Sequence, residues 1–254
     1  MFVHHLNPLF LDIGWFQIRY YGLFFAISVL LGVFVVRHFA RVKRLSKITD
    51  DIVYEFTTYL LIGSLIGARL IFILFNDPLY YVHNPLEIPA VWHGGLAFYG
   101  AILGAIIVGH YYSKARKIPF YDLADLYIVP LAFGLFLGRI ANFINGEVVG
   151  TPTAVSWCVV FPAVDNLCRH PVQLYASLKN LFIFCVLWFA SARKHAKGFI
   201  FWLFFMLYAP IRFFIEFFRQ SDYYVLGLSA GQIASIFVFI LSAVMLCRVH
   251  KKKH

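Results

Sequence analysis

YYGLFFAISVLLGVFVV, Tyr20 to Val36, carries no charged side chain, and RHFARVKRLSK, Arg37 to Lys47, follows it with Arg37, Arg41, Lys43, Arg44 and Lys47. An uncharged apolar run of about 17 residues is near the minimum for a helix that crosses a bilayer core. A basic cluster directly after such a run marks the cytoplasmic side. The pattern recurs along the chain. Seven apolar stretches can be delimited, at 20–36, 53–75, 94–112, 126–143, 172–192, 198–218 and 226–247. Basic sets follow the third (Lys114, Arg116, Lys117), the fifth (Arg193, Lys194, Lys197) and the seventh (Arg248, Lys251, Lys252, Lys253). Together with the first set they hold 15 of the 22 Lys and Arg residues, all on one side. This places the N-terminus outside and the C-terminus in the cytoplasm.

Composition agrees. The 254 residues are 61% hydrophobic and only 13% charged, with a mean hydropathy of +0.77. Soluble domains are less apolar and about twice as charged, so an ordinary soluble enzyme is excluded. Disorder is excluded too, because it needs low hydrophobicity. The net charge of +10 sits in clusters set by topology. It points to anionic membrane lipids as partners and not to nucleic acid. The expectation is an all-α integral membrane protein, one membrane domain over 1–254 built as a bundle of about seven transmembrane helices. Residues 1–19 are expected to lie in the interface as an amphipathic helix. Residues 145–170 are expected to form a small cap outside, and 248–254 a basic cytoplasmic tail. The start, MFVHHLNPLFLDIGWFQ, has no basic n-region and no small-residue cleavage site. No internal repeat supports an inverted-repeat transporter. The cysteines, Cys158, Cys168, Cys185 and Cys247, include no CxxC pair, so no metal or cofactor is expected. For Cys158 and Cys168, in the outside loop, the sequence is compatible with a disulfide or with two free thiols.

The other seven basic residues are Arg19, Arg69, Arg139, Arg169, Lys179, Arg212 and Arg219, within the apolar stretches or near their outer ends. A charge in hydrocarbon costs at least about 2.5–3.5 kcal/mol, so such residues are usually paired or functional. They imply a polar site in the outer half of the bundle. The strongest motif is GRIANFINGEVVG, Gly138 to Gly150. Arg139 and Asn142 share a helix face, Asn145-Gly146 reads as a turn, and Glu147 follows. A capped helix end would need fewer polar groups. The second motif is LYAPIRFFIEFFRQSD, Leu207 to Asp222. Tyr208, Arg212, Glu216 and Arg219 fall on one face among aromatic and aliphatic neighbours. They form either an Arg–Glu–Arg ladder that locks helices or a ligand site, with Arg212 the deeper ligand candidate. The third is WHGGLAFYGAILG, Trp92 to Gly104, whose glycines let another helix approach and whose titratable groups are His93 and Tyr99. RHPVQLYAS (Arg169–Ser177) brings His170, and RYYGL (Arg19–Leu23) brings Tyr21. Arg69 lies deep in the second stretch beside Gly63 and Gly67. Arginines in a low-dielectric pocket suit a phosphate, here a phospholipid head group with its chains between helices.

GRIANFINGEVVG is very similar to the signature of the prolipoprotein diacylglyceryl transferase family, and RHPVQLY, YAPIRFFIEFFRQ, WHGGLAFYG and RYYGL resemble its other blocks. The resemblance covers almost the whole chain. It implies a bacterial inner-membrane enzyme with its active site toward the periplasm. The implied reaction moves the diacylglyceryl group of phosphatidylglycerol to the lipobox cysteine of a prolipoprotein signal peptide, releasing glycerol 1-phosphate. By the same resemblance, Arg139 and Arg212 stabilise the departing phosphate, and Asn142, Asn145, Glu147 and Gly150 shape the head-group site. Tyr21 and Tyr208 match positions important for activity, and Glu216 and Arg219 match positions that pair or gate access. Some members have His where this chain has Tyr99, and a phenol is a poor base at neutral pH. His93, His170 and Glu147 stay open as bases, as does activation of the thiol by the arginines alone. The competing reading is a transporter or flippase for an anionic lipid or solute. It predicts ionisable groups across the whole membrane depth, whereas the inner halves of these stretches are mostly apolar.

Overall fold

The computed structural model describes residues 2–14, 17–220, 224–225 and 227–251. Met1, Trp15 and Phe16 of the N-terminal segment lie outside the described residues. So do Ser221 and Asp222 of the second motif, Leu226 of the last stretch, and Lys252, Lys253 and His254 of the tail. Among the described residues eight helices dominate: α1 (Tyr20–Val42), α2 (Asp50–Asn76), α3 (Pro78–His83), α4 (Phe98–Ala115), α5 (Phe120–Asn145), α6 (Val172–Ser191), α7 (Phe199–Ile215) and α8 (Ala230–Lys251). Six spans among them are long and apolar enough to cross a membrane: α1, α2, α5, α6, α8, and α7 carried on through a 3-10 turn to Phe218. The third stretch forms α4, outside that set, because its last turns carry His110, Tyr112, Ser113 and Lys114. An integral membrane protein accounts for the surface as well. Phe25, Leu30 and Phe34 on α1 are exposed, a face that suits lipid and not water.

Two compact units divide the chain: Met1–Lys43 with Asp125–His254, and Arg44–Ala124. In the first, the core holds Val36, Val129, Ala132, Ile183, Leu187 and Ile200, none of which retains accessible surface. Phe39 and Trp188 pack edge to face at 4.9 Å. Asp125 on α5 is buried, and its two carboxylate oxygens accept the Gly198 and Phe201 backbone N–H groups at 2.7 and 2.8 Å. It caps α7 from another helix and complements that helix's dipole. Ser229 and Gln232 exchange side-chain-to-backbone bonds at the start of α8, a capping box.

The described residues of the N-terminal segment, 2–14 and 17–19, do not form the expected helix. They give the strands β1 (Phe2–Val3), β2 (Leu9–Asp12) and β3 (Gln17–Arg19). Pro8 and Gly14 oppose a helix here. The Asp12 carboxylate accepts the Gly14 N–H at 3.0 Å, and Gly14 takes φ +72°, which closes β2 and β3 into a hairpin. β1 runs parallel to β4 (Val159–Val160), which pairs antiparallel with β5 (Cys168–Arg169). Cys158 and Cys168 form a disulfide across that hairpin. A second small hairpin joins β6 (Tyr224–Val225) to β7 (Leu228–Ser229).

In the second unit, Thr49 caps α2, with Asp50 and Asp51 in its first turn. Asp77 ends α2 and starts α3, accepting the Tyr80 N–H at 3.1 Å. α2 and α4 touch backbone to backbone. A Cβ on Gly67 would meet the Gly100 carbonyl, and one on Gly104 would meet that of Gly63. These paired small-xxx-small stripes are the close packing on which membrane helices rely. Gly67→Val therefore forces the two helices apart, and we expect a loss of about 1–3 kcal/mol, read as a lowered melting temperature in detergent.

Candidate functional site

The C-terminal end of α5 supplies the first half of the site. Arg139 donates from Nη1 to Asn142 Oδ1 at 3.3 Å, one helical turn along. α5 stops at Asn145, and Gly146 reverses the chain at φ +69°. The Glu147 N–H returns to the Asn142 carbonyl at 3.0 Å. The Glu147 carboxylate then accepts both amides, Asn142 Nδ2 at 3.0 Å and Asn145 Nδ2 at 3.2 Å. Gln173, fully buried at the start of α6, donates to the Glu147 carbonyl at 2.7 Å. Val148 follows in the left-handed region at φ +57°, where a β-branched residue costs about 1–3 kcal/mol. The surrounding bonds hold that strain at the rim of the site. Glu147 is thus an orienter of two asparagines.

The C-terminal end of α7 supplies the second half. Glu216 is buried and bridges Arg212 at 3.6 Å and Arg219 at 3.7 Å. Its carboxylate rests on Gly231 in the first turn of α8, where a Cβ would come within 2.6 Å of Oε1. The positive end of that helix favours the carboxylate. The Arg–Glu–Arg ladder thus forms at the C-terminal end of α7 and packs against the start of α8. Tyr208, one turn deeper, stacks on Phe204 at 5.3 Å. Arg139 lies within electrostatic reach of Tyr208, Arg212, Arg219 and Tyr21. Tyr21, in the first turn of α1, is half exposed.

The cap locks the halves together. Gly150 pairs with Arg219 in an antiparallel bridge, and Thr151 N–H bonds the Phe218 carbonyl at 2.9 Å. A Cβ on Gly150 would meet the carbonyls of His170 and Phe218, so only glycine fits. Arg169, buried in β5, donates to the Gly150 carbonyl at 2.8 Å and to Gln220 Oε1 at 3.1 Å, and it pairs with Asp165. His170 shares the Tyr175 hydroxyl, 3.1 Å from its Nδ1, with Trp157.

The guanidinium of Arg169 holds the Asp165 carboxyl below the usual carboxylate range, and Asp165 in turn raises Arg169. A carboxyl depressed in the folded state stabilises above its unfolded value, about 3.9. That contribution is lost as the pH falls from there through the lower folded value. Amide protection over residues 152–169, the exchange rate relative to that of an unprotected amide at the same pH, is expected to hold from neutral to about pH 5 and to fall below about pH 4. Asp165→Asn should show the lower protection already at neutral pH.

Three expected site residues belong to the second unit. Arg69 is buried and donates to the carbonyls of Ile88 (2.9 Å), Gly94 (2.6 Å), Gly95 (3.1 Å) and Glu87. Its plane also lies 5.2 Å from the Tyr81 ring. It organises the loop before α4. His93 pairs through Nδ1 with Glu87 at 2.9 Å, and Tyr99 opens α4 with its ring exposed. Asp165 joins the site without having been expected there from sequence, whereas Gln173 lies in the RHPVQLYAS motif and Lys179 is one of the seven basic residues that implied a polar site. Lys179 is buried, with its Nζ 3.5 Å from the centre of the Tyr208 ring. Its position inside an apolar stretch is the one signal the sequence offers for it.

Fold and site define a polytopic membrane protein with a cationic, amide-rich site among its helices. The profile of the prolipoprotein diacylglyceryl transferase family matches residues 8–248. Similar proteins include phosphatidylglycerol–prolipoprotein diacylglyceryl transferases of Geobacter sulfurreducens, 39% identical over 98% of this chain and 97% of that one, and Rickettsia typhi, 36% identical over 99% and 100%. The Rhodospirillum rubrum protein of the same name is 35% identical over 98% and 94%. This chain belongs to the prolipoprotein diacylglyceryl transferase family.

Proposed function

We infer that this chain transfers the diacylglyceryl group of phosphatidylglycerol to the lipobox cysteine of prolipoprotein signal peptides, in the bacterial inner membrane. In this reading the chain crosses the membrane seven times, α4 included, with the N-terminus and the cap on the periplasmic side. The observation that carries the chemistry is the pairing of Gly150 and Thr151, after α5, with Arg219 and Phe218, after α7, which ties the end that holds Arg139 and the Asn142–Glu147–Asn145 network to the end that holds Arg212. The cysteine sulfur attacks the glyceryl carbon that bears the phosphate. The S–C bond forms, the C–O bond breaks, and the electron pair leaves on the phosphate oxygen as glycerol 1-phosphate. The thiol proton passes to solvent or to the product phosphate. Arg139 and Arg212 take the charge that grows on the leaving oxygens, and forked guanidiniums match that geometry. The same cations favour thiolate over a thiol of ordinary pKa about 8.5. Asn142 and Asn145, oriented by Glu147, and Gly150 shape the head-group site. Tyr21 and Tyr208 line it, and the Glu216–Arg219 pair and His170 hold its wall, while Arg69 supports the loop that carries His93 and leads to Tyr99.

The test is release of glycerol phosphate from phosphatidylglycerol vesicles by the purified protein, with a lipobox peptide or its Cys→Ser variant. Release with cysteine alone supports the transferase. Equal release with both peptides, or none from folded protein, overturns it.

A further inference from the structure

Lys179 is a buried basic residue among the helices of the first unit that the reaction above does not use. It sits seven residues into α6, Arg139 six residues before the end of α5, and Arg212 three before the end of α7. At about 1.5 Å per residue these are about 10, 9 and 5 Å from helix ends that the cap gathers on one side. All three cations thus share one layer. Lys179 is only 6% exposed. Its Nζ lies 3.5 Å from the centre of the Tyr208 ring, within electrostatic reach of Arg212, Arg139 and Glu216. Glu216 is already engaged by Arg212 and Arg219, and Glu147 by two asparagine amides. Buried Lys179 and the partly buried Arg139, Arg212 and Arg219 thus outnumber the two carboxylates. An excess of basic groups in one layer suits an anion, whose charge would hold the proton on Lys179. Access from the bilayer exists as well. A groove of about 420 Å³ between α6 and α7, walled by Leu178, Phe182, Ile211 and Phe214, has Lys179 among its lining residues.

We propose that Lys179 is a further phosphate-binding and specificity-determining residue, a third cation that selects an anionic phospholipid head group over a zwitterionic one. A zwitterion would bring its own ammonium into the surplus of cations, whereas the glycerol phosphate monoester that leaves carries more negative charge than the diester that enters. Lys179 thus acts on the bound lipid and more strongly on the departing product. The Tyr208 ring, 3.5 Å from Nζ, holds the Lys179 side chain in place while no anion is bound. This inference rests on the transferase reading.

The experiment compares wild type, Lys179→Met and Lys179→Arg in phosphatidylglycerol turnover and in inhibition by added glycerol phosphate. Methionine keeps the length and apolar stem of the side chain and removes only the charge. Removing one charge-assisted hydrogen bond is expected to lower kcat/KM by about 10- to 100-fold and to raise the glycerol phosphate inhibition constant by a similar factor. Lys179→Arg should stay within about threefold of wild type. Lys179→Met should also narrow the preference for phosphatidylglycerol over phosphatidylethanolamine. A purely structural lysine would leave the inhibition constant and the lipid preference unchanged, and that result overturns the proposal. If Lys179→Met does not fold, amine-directed footprinting of wild type replaces it. Protection of Lys179 by glycerol phosphate supports the proposal, and equal labelling with and without it overturns it. A wild type that turns over no lipid would instead sink the transferase reading.

Discussion

Arg139→Ala lowers glycerol phosphate release by about 100- to 1,000-fold, the usual effect of removing one donor from a developing oxyanion. Arg139 bonds Asn142 on its own helix, so its removal leaves the packing of α5 largely intact. The melting temperature should therefore change little while turnover collapses. Arg139→Lys should recover only part of the loss, because an ammonium keeps the charge but not the planar fork. Arg212→Ala should cost as much turnover and more stability, since it strips Glu216 of one of its two arginine partners. Arg139 and Arg212 act on the same leaving group, so the double variant should fall far short of the product of the two losses.

Arg69→Met is the largest expected loss of stability. Four backbone carbonyls, of Glu87, Ile88, Gly94 and Gly95, converge on this one guanidinium. Each buried carbonyl left short costs about 1–3 kcal/mol, and a total of about 3–5 kcal/mol is expected, since some of them will find water. The melting temperature should drop sharply and the loop 84–97 should become open to protease. If Arg69 were a ligand to substrate, Arg69→Met would raise KM and leave melting unchanged. The position of Gly95 supports the structural role: a Cβ there would crowd Arg69 Nη1 and the Phe72 ring.

The membrane class and the approximate helix positions were legible in the sequence. α6 starts at Val172 as read and ends one residue early, at Ser191. α1, α2 and α5 run past their apolar stretches, α4 and α8 start later than theirs and end beyond them, and α7 lies inside its stretch. α1 continues through Arg37 and Arg41, and α5 begins at Phe120, because charged and aromatic residues at a membrane surface stay helical where hydropathy has already fallen. Spacing also exposed the Arg139–Asn142 contact and the ladder at 212, 216 and 219, since both are local to one helix face. What spacing could not give was contact between distant segments. Asp125 capping α7, Arg169 reaching Gly150 and Gln220, and Gln173 holding the Glu147 carbonyl each join residues 19 or more apart. The N-terminal strands were missed for a related reason. β1 exists because β4 lies beside it, and no property of Phe2 and Val3 alone announces that.

The most direct measurement is the mass of a lipobox peptide after incubation with the protein and phosphatidylglycerol, before and after treatment with hydroxylamine. The account predicts one added diacylglyceryl group on the cysteine, resistant to hydroxylamine because the link is a thioether, and absent with Arg139→Ala. An unmodified peptide, or an acyl group that hydroxylamine removes, would contradict alkyl transfer at the arginine site.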